Sequence, residues 1–292
     1  MRLLLLSGLS GSGKTVALHT LEDAGFFCID NLPLALLDAL IDDLNQHPQR
    51  RDERVAVGVD VRSGQNALAH FPEALAILRQ RVAQVEVIFL DADEATLLQR
   101  YHHTRRRHPL ARQGIPLVEA IRMERHWLAR LAAHADLRID SSDLTMHGLA
   151  RLIRDRLTQP SEASLSLLFQ SFGFKYGAPV DADFVFDVRC LPNPHYEPGL
   201  RHRTGLEQPV IDFLQAHNDV QDMYQGIHNH LQRWVPQFAR DHRSYLTIAL
   251  GCTGGHHRSV YLAERLAQAW RKQHPYTVSI RHRELDPSLD AE

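Results

Sequence analysis

Apolar residues fall along the first 157 positions in short unbroken runs, separated by stretches of mixed polarity, and the two kinds alternate. Leu3 to Ser7, Phe26 to Asp30, Val55 to Val61, Val85 to Asp91 and Leu137 to Asp140 have the length and continuity of strands buried on both faces. Thr15 to Ala24, Pro33 to Asn45, Ala67 to Val82, Glu94 to Arg105 and Leu144 to Leu157 show the spacing of helices with one apolar side. Strand alternating with helix predicts βαβ units and a parallel sheet between helix layers, hence a Rossmann-like, doubly wound α/β domain.

The polar stretch LTQPSEASLS at 157–166 breaks this pattern and predicts a boundary between domains at 1–158 and 159–292. The second domain is also read as α/β, but smaller and less regular. Its predicted strands are Leu165 to Phe172, Asp183 to Arg189, Ser244 to Leu250 and a last one near Tyr276 to Arg281. Its predicted helices run from about Gly205 to Phe238 and from Arg258 to Lys272.

The first strand runs into Gly8-Leu9-Ser10-Gly11-Ser12-Gly13-Lys14-Thr15, which fits G-x-x-x-x-G-K-[ST] between a strand and a helix. Glycines there let backbone N–H groups converge on phosphate oxygens at a positive helix end. Lys14 is placed to reach the β and γ phosphates and the Thr15 hydroxyl to ligate magnesium. The pattern predicts that the chain binds ATP or GTP with Mg²⁺. Such a loop also needs a carboxylate at the end of a neighbouring strand, and two are offered, Asp60 and Asp91. Asp60 opens Asp60-Val61-Arg62-Ser63, which gathers a carboxylate, a cation and a hydroxyl where open α/β sheets bind ligands. Capping of the following turn is the plainer role for either aspartate.

Beyond Asp91, four arginines fall within eight residues, Arg100, Arg105, Arg106 and Arg107. The run reads equally as a lid over phosphates, a solvated face or a patch for RNA.

A second strand-to-glycine-to-helix passage lies at Gly251-Cys252-Thr253-Gly254-Gly255-His256-His257-Arg258-Ser259. It is a candidate cradle for a phosphate or sugar phosphate, and a structural turn is the alternative. The spacing Cys252-x5-Arg258-Ser259 also matches the loop of cysteine-dependent phosphatases, a short pattern. The proline-stiffened loop around Asn193 and His195 is a candidate wall for the same site.

Composition narrows these readings without adding to them. With 33 basic and 35 acidic residues the net charge is −2, so any nucleic-acid contact must be a local patch. The 19 histidines include no metal-ligand spacing, and the three cysteines (Cys28, Cys190 and Cys252) are scattered, which predicts a reduced, cytoplasmic setting. The opening apolar run is too short for a signal peptide or a membrane span.

The segments GLSGSGKTVALHTLEDAGFFCIDNLP, FLDADEATLLQRYHHTRRRHPL, FDVRCLPNPHY and GCTGGHHRSVYLAE together resemble the RapZ-type family of P-loop proteins, one branch of which is an RNase adapter. The resemblance covers nearly the whole chain in order. It implies an N-terminal domain with ATPase and GTPase activities, ATP on Gly8 to Thr15 and guanine nucleotide on Asp60 to Ser63. It implies a C-terminal domain similar to a phosphofructokinase subdomain that senses glucosamine-6-phosphate. The contacts would fall on His195, Cys252, Thr253, Gly254, Gly255, His257, Arg258 and Ser259. It implies further a small regulatory RNA, an endoribonuclease partner and a homo-oligomer. Arg271, Lys272, Arg281 and Arg283 are the cations available to RNA. The chain departs from the adapter branch's basic tail, ending with carboxylates at Glu284, Asp286, Asp290 and Glu292.

Three functions compete on this reading: a regulatory protein that hydrolyses nucleoside triphosphates slowly, a small-molecule kinase with an arginine lid, and an RNA adapter whose P-loop is vestigial.

Overall fold

The computed structural model describes residues 1–46, 54–104, 107–113, 115–158, 165–241 and 243–285. The chain divides into two compact units, Met1–Gln159 and Pro160–Glu292, each α/β around its own parallel sheet. Residues 159–164 of the expected boundary lie outside the described residues.

In the first unit, β1 (Arg2–Gly8), β2 (Phe27–Ile29), β3 (Arg54–Gly58), β4 (Gln84–Asp91) and β5 (Leu137–Asp140) form a sheet in the order β2-β3-β1-β4-β5, every pair parallel. Its strands are apolar on both faces because helices cover both: Leu3, Leu5, Val55, Val57, Val85, Val87 and Phe89 enter one core with Ile41, Phe71, Leu78 and Leu128. The chain leaving β1 turns toward β2, whereas the chain leaving the adjacent β3 turns toward β4. That divergence opens a crevice at the carboxyl ends of the two strands, where α/β sheets bind ligands. Around the sheet lie α1 (Lys14–Asp23), α2 (Leu37–Gln46), α3 (Gln65–Ala69), α4 (Phe71–Arg81), α5 (Glu94–Thr104), α6 (Leu117–Ala133) and α7 (Met146–Leu157).

In the second unit, β6 (Ser166–Gly173), β7 (Phe184–Asp187), β8 (Tyr245–Cys252) and β9 (Thr277–His282) form a parallel sheet in the order β7-β8-β6-β9. It packs with α8 (Gln208–Gln215), α9 (Asn218–Arg240) and α10 (Arg258–Gln273) around Phe169, Ile248, Leu262 and the fully buried Trp270.

Three expectations need adjustment. The helix expected from Ala67 to Val82 is two, because the pyrrolidine of Pro72 starts a new first turn. The one expected from Gly205 to Phe238 breaks at His217, whose extended backbone (φ −102°, ψ 125°) separates α8 from α9. The third strand stops at Gly58, and a 3-10 turn over Val61–Ser63 follows it. The helix α6 has no counterpart among the expected elements.

Candidate functional site

The loop from β1 to α1 is shaped by the sheet's close packing. Gly8 has φ 147° and lies against the Leu90 carbonyl of β4 so closely that a Cβ would overlap it, and Leu9 N–H donates to that oxygen at 3.2 Å. The chain then turns over the strand ends and starts α1 at Lys14. The Lys14 ammonium curls back to donate to the carbonyls of Gly8 (2.6 Å) and Leu9 (3.3 Å). Burial pushes its pKa below the ordinary lysine value, against the pull of Glu124, Asp60 and Asp30, whose charges favour the ammonium.

These residues line a cavity of about 950 Å³. Ser10, Gly11, Gly13, Lys14 and Thr15 form its floor. One end is polar, with His19, Asp30, Asn31, Asp60 and Arg62. The other presents Pro109, Leu144, Met146 and Leu149 with the Arg107 side chain. The volume is at the upper end of the range for small-molecule sites. Met146, 72% exposed at the start of α7, leaves an unpartnered apolar surface at that end.

The structure separates the two strand-end aspartates that the sequence left level. Asp60 is 5% exposed, lines the cavity and accepts from Arg62 N–H at 2.8 Å. Asp91 instead accepts from Arg125 Nη1 on both oxygens, at 2.9 and 3.0 Å, and from its neighbour Ala92 N–H, away from the cavity lining. Within Asp60 to Ser63, Arg62 faces the cavity and Val61 is buried. The P-loop and this segment therefore share one cavity.

The hydroxyl of Thr15 and the carboxylate of Asp60 are hard oxygen donors on that single cavity. This set fits Mg²⁺, which takes one or two protein oxygens and fills the rest of its shell with phosphate and water. Among the described residues there is no cluster of three or more histidine, cysteine, aspartate or glutamate side chains able to form an all-protein cage.

Beneath the loop lies a group that the sequence reading missed. Glu124, on α6 and wholly buried, accepts from Ser10 N–H (2.9 Å) and Ser10 Oγ (2.7 Å) and meets His108 Nε2 at 3.0 Å. Burial alone would raise its pKa. The bonds from His108 and Ser10 and the charge of Lys14 outweigh this and hold the carboxyl below the usual range. Tyr101 packs beside His108, its phenol pushed up to about 12 by burial and by the Glu124 charge.

Of the arginine run, Arg100 is part of the wall rather than a free arm. Its guanidinium donates to the carbonyls of Gly11 (3.1 Å) and Ser141 (2.6 Å) and to Ser141 Oγ (3.0 Å), joining the P-loop to the end of β5. Arg107 lines the cavity, and Arg105 and Arg106 lie outside the described residues.

The second glycine loop, between β8 and α10, brings its residues together in a different state. Cys252 is buried, and its sulfur accepts from Gly255 N–H and Ser259 Oγ, both at 3.2 Å. Arg258, 4% exposed, donates to the carbonyls of Arg189 (2.7 Å) and Leu191 (3.0 Å) and to Thr253 Oγ1 (3.2 Å). Its Nε has no partner among the described residues. His257 meets the Leu200 carbonyl at 3.2 Å, and burial lowers its pKa, helped by the charges of His256, His195 and Arg258. His195 stands exposed on the loop that Arg258 anchors, and Thr253 and Gly254 remain accessible.

The four expected RNA cations do not form an equivalent set. Arg271 and Lys272 are exposed in the last turn of α10, and Arg281 lies on the edge strand β9. Arg283 is buried, donating to Glu284 (2.8 Å) and to the carbonyls of Gly173 (3.1 Å) and Gly177 (2.9 Å), and is committed to the fold. Glu284, expected in an acidic end, is turned inward onto Gly173 N–H at 3.0 Å. The rest of that end, 286–292, lies outside the described residues. Among the described residues no helix is long and apolar enough to cross a membrane.

Two family models together match most of the chain. Residues 1–161 match the model of the RapZ-like N-terminal domain, and 165–286 that of the RapZ C-terminal domain. A nucleotide-binding protein of Thioalkalivibrio sulfidiphilus is 55% identical over 98% of this chain and all of its own. Another, from Stutzerimonas stutzeri, is 51% identical with the same coverage. Among solved structures, a shikimate kinase from Bacteroides thetaiotaomicron overlaps 54% of this chain and 99% of its own, at 16% identity and a TM-score of 0.38.

Proposed function

The chain belongs to the RapZ family, and on that premise we propose that its N-terminal domain binds one nucleoside triphosphate with Mg²⁺ and hydrolyses it slowly, in a mainly regulatory protein. The observation that carries this reading is the single cavity in which Lys14, Thr15 and Asp60 meet. The phosphates belong on the P-loop N–H groups, with Lys14 released from its own carbonyls to reach them. When bound, Mg²⁺ would supply positive charge against that which builds during phosphoryl transfer. Thr15 and Asp60 are the groups that hold it. The apolar end with Met146, Leu149 and Pro109 suits the base. A metal-side Asp60 cannot also read the guanine of the same nucleotide, so ATP and GTP compete for one place.

The C-terminal loop takes a sugar phosphate in the same proposal, supported by the accessible Thr253 and Gly254, the nearby His195, and the unpartnered Arg258 Nε. Glucosamine-6-phosphate, a small regulatory RNA, an endoribonuclease and a homo-oligomer enter only through the family resemblance, with the exposed Arg271 and Lys272 as the cations of the expected set at the surface.

Calorimetric titration of wild type and Lys14→Ala with MgATP and MgGTP tests the nucleotide reading. Binding by wild type and its loss in Lys14→Ala are expected, and equal binding by both contradicts it. A kinase is the second reading, favoured by the polar space beyond Lys14 at His19, Asp30 and Asn31. It requires that label from γ-phosphate-labelled ATP move to an added hydroxyl compound. Appearance of label only in inorganic phosphate rejects it for the compounds supplied. An adapter with a vestigial P-loop requires Lys14→Ala to leave RNA binding and regulation intact.

A further inference from the structure

The polar end of the cavity holds two carboxylates in different states. Asp60 is buried and braced by Arg62, whose backbone N–H donates to one oxygen while its Nε stands 3.6 Å from the other. Asp30 faces the cavity with no hydrogen bond or ion pair to any described residue. Among the described residues, several other acidic groups near these strand ends are engaged. Asp91 is paired with Arg125, Asp93 with Thr96 N–H and Oγ1, Asp140 with Ser142, and Glu124 with Ser10 and His108.

The backbone presents Asp30 deliberately. β2 ends at Ile29, and Asn31 takes the left-handed conformation (φ 55°), which turns the chain sharply past Asp30. Leu32 N–H then fastens the turn to the Gly58 carbonyl of β3 at 3.0 Å. A Cβ on Gly58 would stand 2.7 Å from Asp30 Oδ1, so the bare glycine is what leaves the carboxylate its place. From there its charge acts on the Lys14 ammonium, and the two side chains line the same cavity.

We propose that Asp30 is the base of this site, orienting the nucleophile that attacks the γ-phosphorus and accepting its proton. The role rests on the reading that a nucleoside triphosphate occupies the cavity. In hydrolysis the water oxygen forms a bond to the γ-phosphorus and the bond from that phosphorus to the β–γ bridging oxygen breaks. The water proton passes to the Asp30 carboxylate, and nucleoside diphosphate and phosphate leave. Asp60 is braced by Arg62 and would be taken up in holding Mg²⁺, so it does not compete for that proton.

The test compares full-length wild type, Asp30→Asn and Asp30→Glu for turnover of saturating MgATP and for calorimetric affinity toward a non-hydrolysable ATP analogue with Mg²⁺. Asp30→Asn is expected to lower kcat by about tenfold or more while analogue affinity stays within about twofold, and Asp30→Glu is expected to recover part of the loss. A kcat for Asp30→Asn within about twofold of wild type overturns the role, as does a fall in kcat matched by an equal fall in affinity. In those cases wild type still binds the analogue and the nucleotide reading stands. Wild type that binds no analogue overturns both.

Discussion

The two glycine loops of this chain are built by one recipe and left in opposite states. Each follows a buried parallel strand and opens a helix, and each places a cation at the start of that helix, Lys14 in one and Arg258 in the other. Among the described residues Lys14 is tied only to two carbonyls of its own loop, and it lines a large cavity. Arg258 is buried and bonded to carbonyls nearly seventy positions earlier in the chain. A strand-glycine-helix passage therefore specifies a place where an anion can sit. Whether the cation there is available depends on contacts remote in sequence.

The largest effect expected on either loop comes from the buried group beneath the first. Glu124→Ala strands Ser10 N–H, Ser10 Oγ and His108 in the interior, and a loss of about 3–5 kcal/mol is expected in denaturant unfolding. A loss below about 1 kcal/mol would show that the P-loop is held by its own backbone instead.

Arg258→Ala should cost about 2–4 kcal/mol, because the Arg189 and Leu191 carbonyls lose a charged donor. Nucleotide affinity should stay unchanged. If stability is untouched and only sugar-phosphate binding falls, the second cation is as free as the first and the contrast between the loops collapses.

Lys14→Ala should do the reverse, weakening MgATP by about 100-fold, or about 2.7 kcal/mol, with little change in unfolding.

The smallest effect sharpens the comparison through pH. His257, His228, His274 and His282 all have pKa values lowered from 6.5 by burial. Below pH 6.5 the unfolded chain takes up these protons before the folded one, so stability present above that value declines as pH falls. In the first domain Glu124 is held below 4.5, so its contribution persists until the pH drops under that value. Acidification should unfold the C-terminal domain first. Fluorescence of Trp270, whose ring lies 4.1 Å from that of His274, is a suitable probe, and a first transition in the N-terminal domain would reverse the assignment.

What the sequence made legible follows the same division between local and remote. The strand runs, the P-loop and the second glycine loop are patterns of adjacent residues, and each is found in its place, the third strand ending early at Gly58. Glu124 escaped notice because it acts on Ser10 across 114 positions, and within the charged run Glu124-Arg125 it looks like part of a solvated helix face. Asp30 was visible only as the end of a strand, since its freedom becomes apparent when its neighbours' partners are known. The choice between Asp60 and Asp91 turned on Arg125, thirty-four positions beyond the latter. Arg283 reads as a surface cation in a basic stretch and is buried by carbonyls more than a hundred positions away.

The most direct test of the account is a calorimetric competition: MgGTP titrated into protein saturated with MgATP, for wild type, Lys14→Ala and Arg258→Ala. The account predicts about one equivalent of nucleotide per chain, GTP displacing ATP, the site lost in Lys14→Ala and kept in Arg258→Ala. Two equivalents bound together, or binding that survives Lys14→Ala, would contradict the shared cavity of Lys14, Thr15 and Asp60 on which it rests.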